Sequence, residues 1–84
     1  MKIVIDTNII ISALVKKGPT RDIITNSDIR FFTPSFSLSE IYKYKSLIIK
    51  KSSLNEKTFN ELIKLIFENI EIVQSSYYNE FLSE

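Results

Sequence analysis

The 84-residue sequence contains no cysteine and no histidine. These two absences exclude a disulfide framework, a thiolate or imidazole metal site, and catalysis by a Ser-His or Cys-His pair. The one glycine, Gly18, is too few for a dinucleotide fingerprint or a phosphate-binding loop. Chemistry by this chain therefore depends on carboxylates, hydroxyls, amides, lysines or tyrosines.

Long hydrophobic runs are also missing. The apolar start of the chain is interrupted by Asp6, and the later, mostly apolar run over residues 9–15 is too short to span a bilayer. A composition of 44% hydrophobic and 25% charged residues is typical of a folded soluble domain. We therefore expect one cytoplasmic domain over residues 1–84, with no membrane partner.

The net charge of +1 conceals an asymmetry. Residues 1–51 hold nine lysines and arginines against four acids, whereas residues 52–84 hold two lysines against six glutamates. A basic first half is compatible with a polyanionic partner, and ordinary solvated charge is the alternative.

Three short apolar runs, at residues 2–5, 29–33 and 70–73, indicate strands. Between and after them the apolar spacing indicates five helices. The third of these runs from residue 35 to residue 51, the fourth begins with the capping-box sequence of residues 53–56, and the fifth opens over residues 77–84. The predicted order is β-α-α-β-α-α-β-α. It favours an α/β fold in which a three-stranded parallel sheet is flanked by helices.

Two acids are placed to meet in this fold. Asp6 follows the first strand, and Glu40 lies one turn into the helix after the second strand. The carboxyl ends of parallel strands share one edge, where ligands bind in open α/β sheets. At about 4–5 Å apart, the two carboxylates would repel by about 3–4 kcal/mol, which a hard cation such as Mg²⁺ or Mn²⁺ would relieve. Thr7 and Asn8 could orient a metal-bound water.

Each acid also has a purely structural interpretation. Asp6 is a typical N-cap for the first helix. Glu40 could be the last member of a second capping box, at residues 37–40. Thr7 and Asn8 are equally plausible as first-turn residues that satisfy free helical N–H groups.

The helix after the second strand carries aromatic and basic side chains in alternation. They suit stacking and phosphate contact with a nucleic acid, for which Lys43 and Lys45 are the prime candidates. The alternative places Tyr42 partly in the core and the lysines in solvent. The members of this set are Tyr42, Lys43, Tyr44, Lys45, Lys50 and Lys51.

Residues 2–14, with their apolar run and the Asp-Thr-Asn triplet that follows, resemble the opening motif of PIN-domain proteins. Residues 32–41 resemble the family's second strand and second acid, and the later helix and strand also fall where the family has them. The family consists largely of metal-dependent ribonucleases, including toxins of toxin–antitoxin pairs. The resemblance implies an RNA substrate, an antitoxin partner and a Rossmann-like fold.

On this resemblance, Asp6 and Glu40 match the family's first and second metal-binding acids, and Thr7 and Asn8 match the residues that orient the first. The family implies two further acids, and Glu80 and Glu84 lie too early to supply them. The chain is therefore expected to be an incomplete PIN-like domain, truncated at its C-terminus. It would be inactive or weakly active alone, and it would associate with a second copy through its exposed first strand.

Two other functions stay open. The chain could be a non-catalytic interaction or dimerisation module derived from a PIN domain. A haloacid-dehalogenase-type phosphatase also begins with a strand and an aspartate, but that chemistry needs a second aspartate where this chain has Asn8.

Overall fold

The computed structural model describes residues 2–26 and 28–82. The elements follow the order β1 (Lys2–Val4), α1 (Thr7–Val15), α2 (Pro19–Asn26), β2 (Arg30–Pro34), α3 (Phe36–Lys43), α4 (Lys45–Ser52), α5 (Glu56–Phe67), β3 (Ile70–Val73), a 3₁₀ turn (Ser75–Tyr77) and α6 (Tyr78–Leu82). A helix was predicted over residues 77–84; α6 covers part of it, and Glu84 lies outside the described residues.

The three strands form a parallel sheet in the order β1-β2-β3. This confirms the predicted α/β fold class with a three-stranded parallel sheet between helices. The register places Ile3 beside Phe31 and Phe31 beside Ile70. Since β2 has a neighbour on each side, β1 is an edge strand of the sheet that the described residues form.

The main core lies on one face of this sheet. Adjacent strand residues point to opposite faces, so Phe31 joins the core while Phe32 packs on the other side against Phe81 of α6, with ring centres 5.0 Å apart. Within the described residues, no helix has the length and hydropathy needed to cross a bilayer. The buried core residues are Ile5, Ile10, Ala13, Leu14, Ile24, Phe31, Ile41, Ile48, Phe59, Ile63, Ile66 and Ile70.

Helix α1 is the central helix and contacts α2, α3, α4 and α5. Its last carbonyl groups lack intrahelical partners. The Arg21 guanidinium of α2 satisfies two of them, donating from Nε to the Ala13 carbonyl at 2.7 Å and from Nη2 to the Leu14 carbonyl at 3.2 Å. In the same way, Asn69 donates to the Ile24 and Thr25 carbonyls at the end of α2. These contacts fix α1, and with it the residues at its start.

The single helix predicted from residue 35 to residue 51 is wrong, because the structure divides it into α3 and α4. Tyr44 leaves helical geometry, with φ −101° and ψ 13°. The Tyr44 N–H still donates to the Glu40 carbonyl at 3.1 Å, and the Ile48 N–H donates to the Tyr44 carbonyl at 3.0 Å. The apolar spacing therefore continues across the break, and periodicity alone does not reveal it.

The predicted capping box of residues 53–56 is also wrong. Ser53 ends α4 in a left-handed conformation, with φ 61°. Asn55 is the N-cap of α5, where its side-chain oxygen accepts from the Thr58 N–H at 2.8 Å. Both residues have cap-forming side chains, and Asn55 is the one that stands next to the helix.

Candidate metal centre

Asp6 lies where the chain leaves the sheet and enters α1. Its side chain is exposed, and Oδ1 accepts from the Ile9 N–H at 3.0 Å. The interpretation of Asp6 as the N-cap of α1 is therefore confirmed. This bond occupies one carboxylate oxygen, and an ionised aspartate has further acceptor capacity. Capping and metal ligation are thus compatible at this residue.

Glu40 is half-buried in the second turn of α3. Its Oε1 accepts from the Thr7 hydroxyl at 3.1 Å. The capping-box alternative for residues 37–40 is wrong, since α3 already begins at Phe36 and its N-cap is Ser35. Glu40 is held by a residue of α1 rather than by the start of its own helix.

The Thr7–Glu40 bond brings the two acids to one edge of the sheet, because Thr7 follows Asp6 directly. The junctions β1–α1 and β2–α3 meet there, as expected for parallel strands. The atoms available as metal ligands are carboxylate and hydroxyl oxygens, which fit a hard divalent cation such as Mg²⁺ or Mn²⁺. Over residues 2–26 and 28–82, however, no three or more acids form a group able to hold a metal ion.

Three buried hydroxyl groups lie beneath this edge. Thr7 Oγ1 is 2.9 Å from Ser37 Oγ, and Ser37 Oγ is 3.0 Å from Thr33 Oγ1. The Thr33 hydroxyl in turn donates to the carbonyl of Ile5 at 2.9 Å. Ser37 and Thr33 have no solvent exposure, and Thr7 has 8%. A continuous chain of short contacts therefore runs from Glu40 to the end of β1; we call Thr7, Ser37 and Thr33 the hydroxyl chain.

Pro34 explains why a side-chain hydroxyl, rather than a backbone N–H, donates to the Ile5 carbonyl. The Ile5 N–H donates to the Phe32 carbonyl at 2.8 Å, which extends the β1–β2 ladder by one residue. In a parallel ladder the Ile5 carbonyl would next accept from the N–H of residue 34. Proline has no N–H, and the Thr33 hydroxyl supplies the missing donor.

Sequence reasoning missed Thr33 and Ser37. Ser37 was interpreted as a helix cap and Thr33 as the end of a strand. The available signal was the Thr-Pro pair at the end of a central strand, where a proline removes a ladder donor. A hydroxyl residue beside such a proline is a candidate replacement donor.

The other predicted site residues lie near this edge to different degrees. Asn8 is exposed in the first turn of α1, adjacent to Thr7. Lys43 is exposed and lies three residues after Glu40, on the neighbouring turn of α3. Tyr42 is 49% exposed, so a large part of its ring is accessible. Asn8 as an orienting residue and Lys43 as a nucleic-acid contact stay predictions.

Lys45 is already engaged within the fold. Its Nζ lies 2.9 Å from Oε1 of Glu56 and 5.5 Å from the centre of the Phe59 ring. Only 26% of its side chain is exposed. Contact of Lys45 with a phosphate would compete with this ion pair, which makes Lys45 the weaker of the two predicted nucleic-acid contacts.

This ion pair predicts a pH-dependent contribution to stability. The hydrogen bond from Lys45, and then its charge, hold the pKa of Glu56 below its ordinary value of 4.5. A carboxyl with a lowered pKa contributes stability above 4.5, and that contribution is lost as the pH falls through the folded-state pKa. We expect Glu56→Gln to lower the urea midpoint slightly at pH 7 and not at acidic pH. High salt should shrink the difference.

Glu61→Gln is the matched control, because Glu61 is an exposed glutamate of the same helix. It should leave the pH dependence of the midpoint as in the wild type. An equal effect of Glu56→Gln at pH 7 and at acidic pH would contradict the prediction.

The structure defines a class of protein: a parallel α/β domain with two acids, Asp6 and Glu40, near the carboxyl ends of neighbouring strands. A family model for the PIN domain matches residues 4–84, and the chain belongs to the PIN-domain family. PIN domains are generally nuclease-like, interact with RNA and depend on divalent metals. Comparisons with curated proteins and with solved structures gave no significant match.

Proposed function

We propose that this chain contributes Asp6 and Glu40 to the Mg²⁺ or Mn²⁺ centre of a PIN-type endoribonuclease. The observation that carries the proposal is the hydrogen bond from Thr7 to Glu40, which holds the second acid beside the residue that adjoins the first. A divalent ion in such a centre lowers the pKa of a bound water and neutralises charge on the phosphate.

Each residue has a distinct part in this proposal. Asp6 and Glu40 supply carboxylate oxygens, and Thr7 fixes the orientation of Glu40. Asn8 donates or accepts a hydrogen bond beside the first acid. Lys43 offers an ammonium group to the RNA backbone from the turn of α3 that follows Glu40. The biological setting that we propose is a cytoplasmic toxin, paired with an antitoxin protein.

The number of acids limits the activity expected of this chain alone. The proposal has two acidic ligands, and among the described residues no group of three or more acids could hold a metal ion. Affinity for a hard cation depends on the number of charged ligands. We therefore expect weak metal binding and little RNA cleavage by the isolated 84-residue chain.

A Mn²⁺ titration of the full chain tests the proposal. The free ion is followed by electron paramagnetic resonance, and the melting temperature is recorded at each step. Wild type should bind Mn²⁺, and Glu40→Gln should bind it about 10-fold more weakly or worse, because a neutral amide replaces a charged ligand. The control Glu61→Gln should match the wild type.

Equal affinities for all three proteins would contradict the metal centre. An RNA substrate added with Mn²⁺ gives a second result. Rapid cleavage that disappears in Glu40→Gln would support the ribonuclease function while contradicting the expected weakness of the isolated chain.

A non-catalytic interaction module is the second candidate, and one observation favours it. A cleft of about 590 Å³ opens between α1, the start of α2 and α4. Its lining includes Ile11, Val15 and Leu47, and Leu47 is 55% exposed. Exposed apolar surface of this kind is typical of contact sites. Wild type that binds no Mn²⁺ but elutes as a dimer, with Leu47→Glu monomeric, would support the module.

A further inference from the structure

The hydroxyl chain connects the candidate metal ligand Glu40 to a fixed point of the backbone. One end is the Glu40 carboxylate, and the other is the Ile5 carbonyl at the end of β1. Between them, every contact is 3.1 Å or shorter. A half-buried carboxylate on a helix thereby takes its position from the sheet.

Counting protons shows how the hydrogen bonds of the chain are arranged. The Ile5 carbonyl can only accept, so the Thr33 hydroxyl donates to it. An ionised Glu40 can only accept, so the Thr7 hydroxyl donates to Glu40. Ser37 stands between two oxygens whose protons are both committed elsewhere, and its own proton goes to one of them. Three protons thus serve four contacts: Ser37 forms a hydrogen bond with Thr7 or with Thr33, and its remaining contact is a close approach of two oxygens.

A role limited to filling buried space does not account for this arrangement. A valine at position 33 and an alanine at position 37 would fill similar volumes without polar atoms. Ser37 instead contacts Thr7 directly, and Thr33 contacts Ser37 from the other side. A Thr7 side chain held in this way restricts the orientation of Glu40, to which it donates. Side chains that hold a metal ligand from behind typically change metal affinity by about 10- to 100-fold when they are removed.

We infer that Thr33 and Ser37 are positioning residues for the metal centre, acting on Glu40 through Thr7. This inference rests on the proposed metal function. Neither residue contacts the metal, and their effect should appear as a preorganised carboxylate. The Thr33-Pro34 pair thus has two consequences: the proline leaves the Ile5 carbonyl without a ladder donor, and the threonine that replaces the donor also supports the site.

Mn²⁺ affinity of the full chain, measured by electron paramagnetic resonance well below each melting temperature, tests the inference. Ser37→Ala and Thr33→Val should each weaken binding about 10-fold. Thr33→Ser keeps the hydroxyl and should restore wild-type affinity. Thr25→Val is the control, since the Thr25 hydroxyl donates within α2 to the Arg21 carbonyl at 2.7 Å. This control should bind like the wild type.

A double-mutant cycle separates positioning from general loosening. If Ser37 acts through Glu40, then adding Ser37→Ala to Glu40→Gln should cause no further loss of affinity. An equal loss in both backgrounds would overturn the inference. If Thr33→Val fails to fold, Ser37→Ala and Thr33→Ser still test the positioning role. Both should fold, because alanine suits a helix and serine retains the hydroxyl donor.

The outcomes distinguish this inference from the function on which it rests. If Asp6→Asn and Glu40→Gln leave Mn²⁺ binding unchanged, the metal centre itself is wrong. If those variants lose binding while Ser37→Ala and Thr33→Val keep wild-type affinity, the metal centre stands and the positioning role is wrong.

Discussion

Replacing Phe59 with alanine should lower the free energy of unfolding by about 3–5 kcal/mol. The Phe59 ring has no solvent exposure and belongs to the core between α5 and the other helices. Its removal loses both the transfer free energy of the ring and the packing around the cavity that remains. A domain of this size has about 4–13 kcal/mol of stability in total. The variant should therefore have a much lower urea midpoint, and it would be unfolded at room temperature if the wild type lies at the low end of this range.

Urea unfolding followed by circular dichroism measures this effect. Leu65→Ala is the matched control, because Leu65 lies on the same helix and is 46% exposed. Its cost should stay below about 1 kcal/mol, as for other substitutions outside the core. A Phe59→Ala midpoint close to that of Leu65→Ala would show that the core is not organised around this ring.

Core positions such as Phe59 could be predicted from the sequence, because residues buried on one side of a helix recur with the helical period. The apolar stripe of Phe59, Leu62, Ile63 and Ile66 identified α5, and the apolar run at residues 70–73 identified β3 with the bounds that the structure has. Local chemistry also identified the Asp6 cap. The alternation of strands with helices was then sufficient to predict a parallel sheet.

The errors arise where the outcome depends on contacts between distant residues or on small backbone changes. The break at Tyr44 keeps the hydrogen bonds on both sides, so it leaves the pattern of apolar residues intact. Glu40 fits a capping box by spacing, yet its partner is Thr7, 33 positions earlier in the chain. No local rule assigns that partner, and the same holds for the contacts among Thr33, Ser37 and Ile5.

Asp6 combines a structural and a proposed functional role, and two substitutions should separate them. Asparagine is as good an N-cap as aspartate, whereas alanine at that position costs about 1 kcal/mol. We therefore expect Asp6→Asn to keep a stability close to the wild type and Asp6→Ala to unfold at lower urea. Both substitutions remove the negative charge that a divalent cation requires, so both should weaken Mn²⁺ binding about 10-fold or more.

The contrast between the two variants carries the information. Loss of Mn²⁺ binding in Asp6→Asn, at unchanged stability, would identify the carboxylate as a ligand independently of the cap. Loss of Mn²⁺ binding in Asp6→Ala but not in Asp6→Asn would mean that binding depends on the intact start of α1. The assignment of Asp6 as a ligand would then fail. Asp22→Asn is the control, because Asp22 is an exposed acid in the first turn of α2. It should change neither the stability nor the Mn²⁺ affinity appreciably, since α2 does not carry a residue of the candidate site.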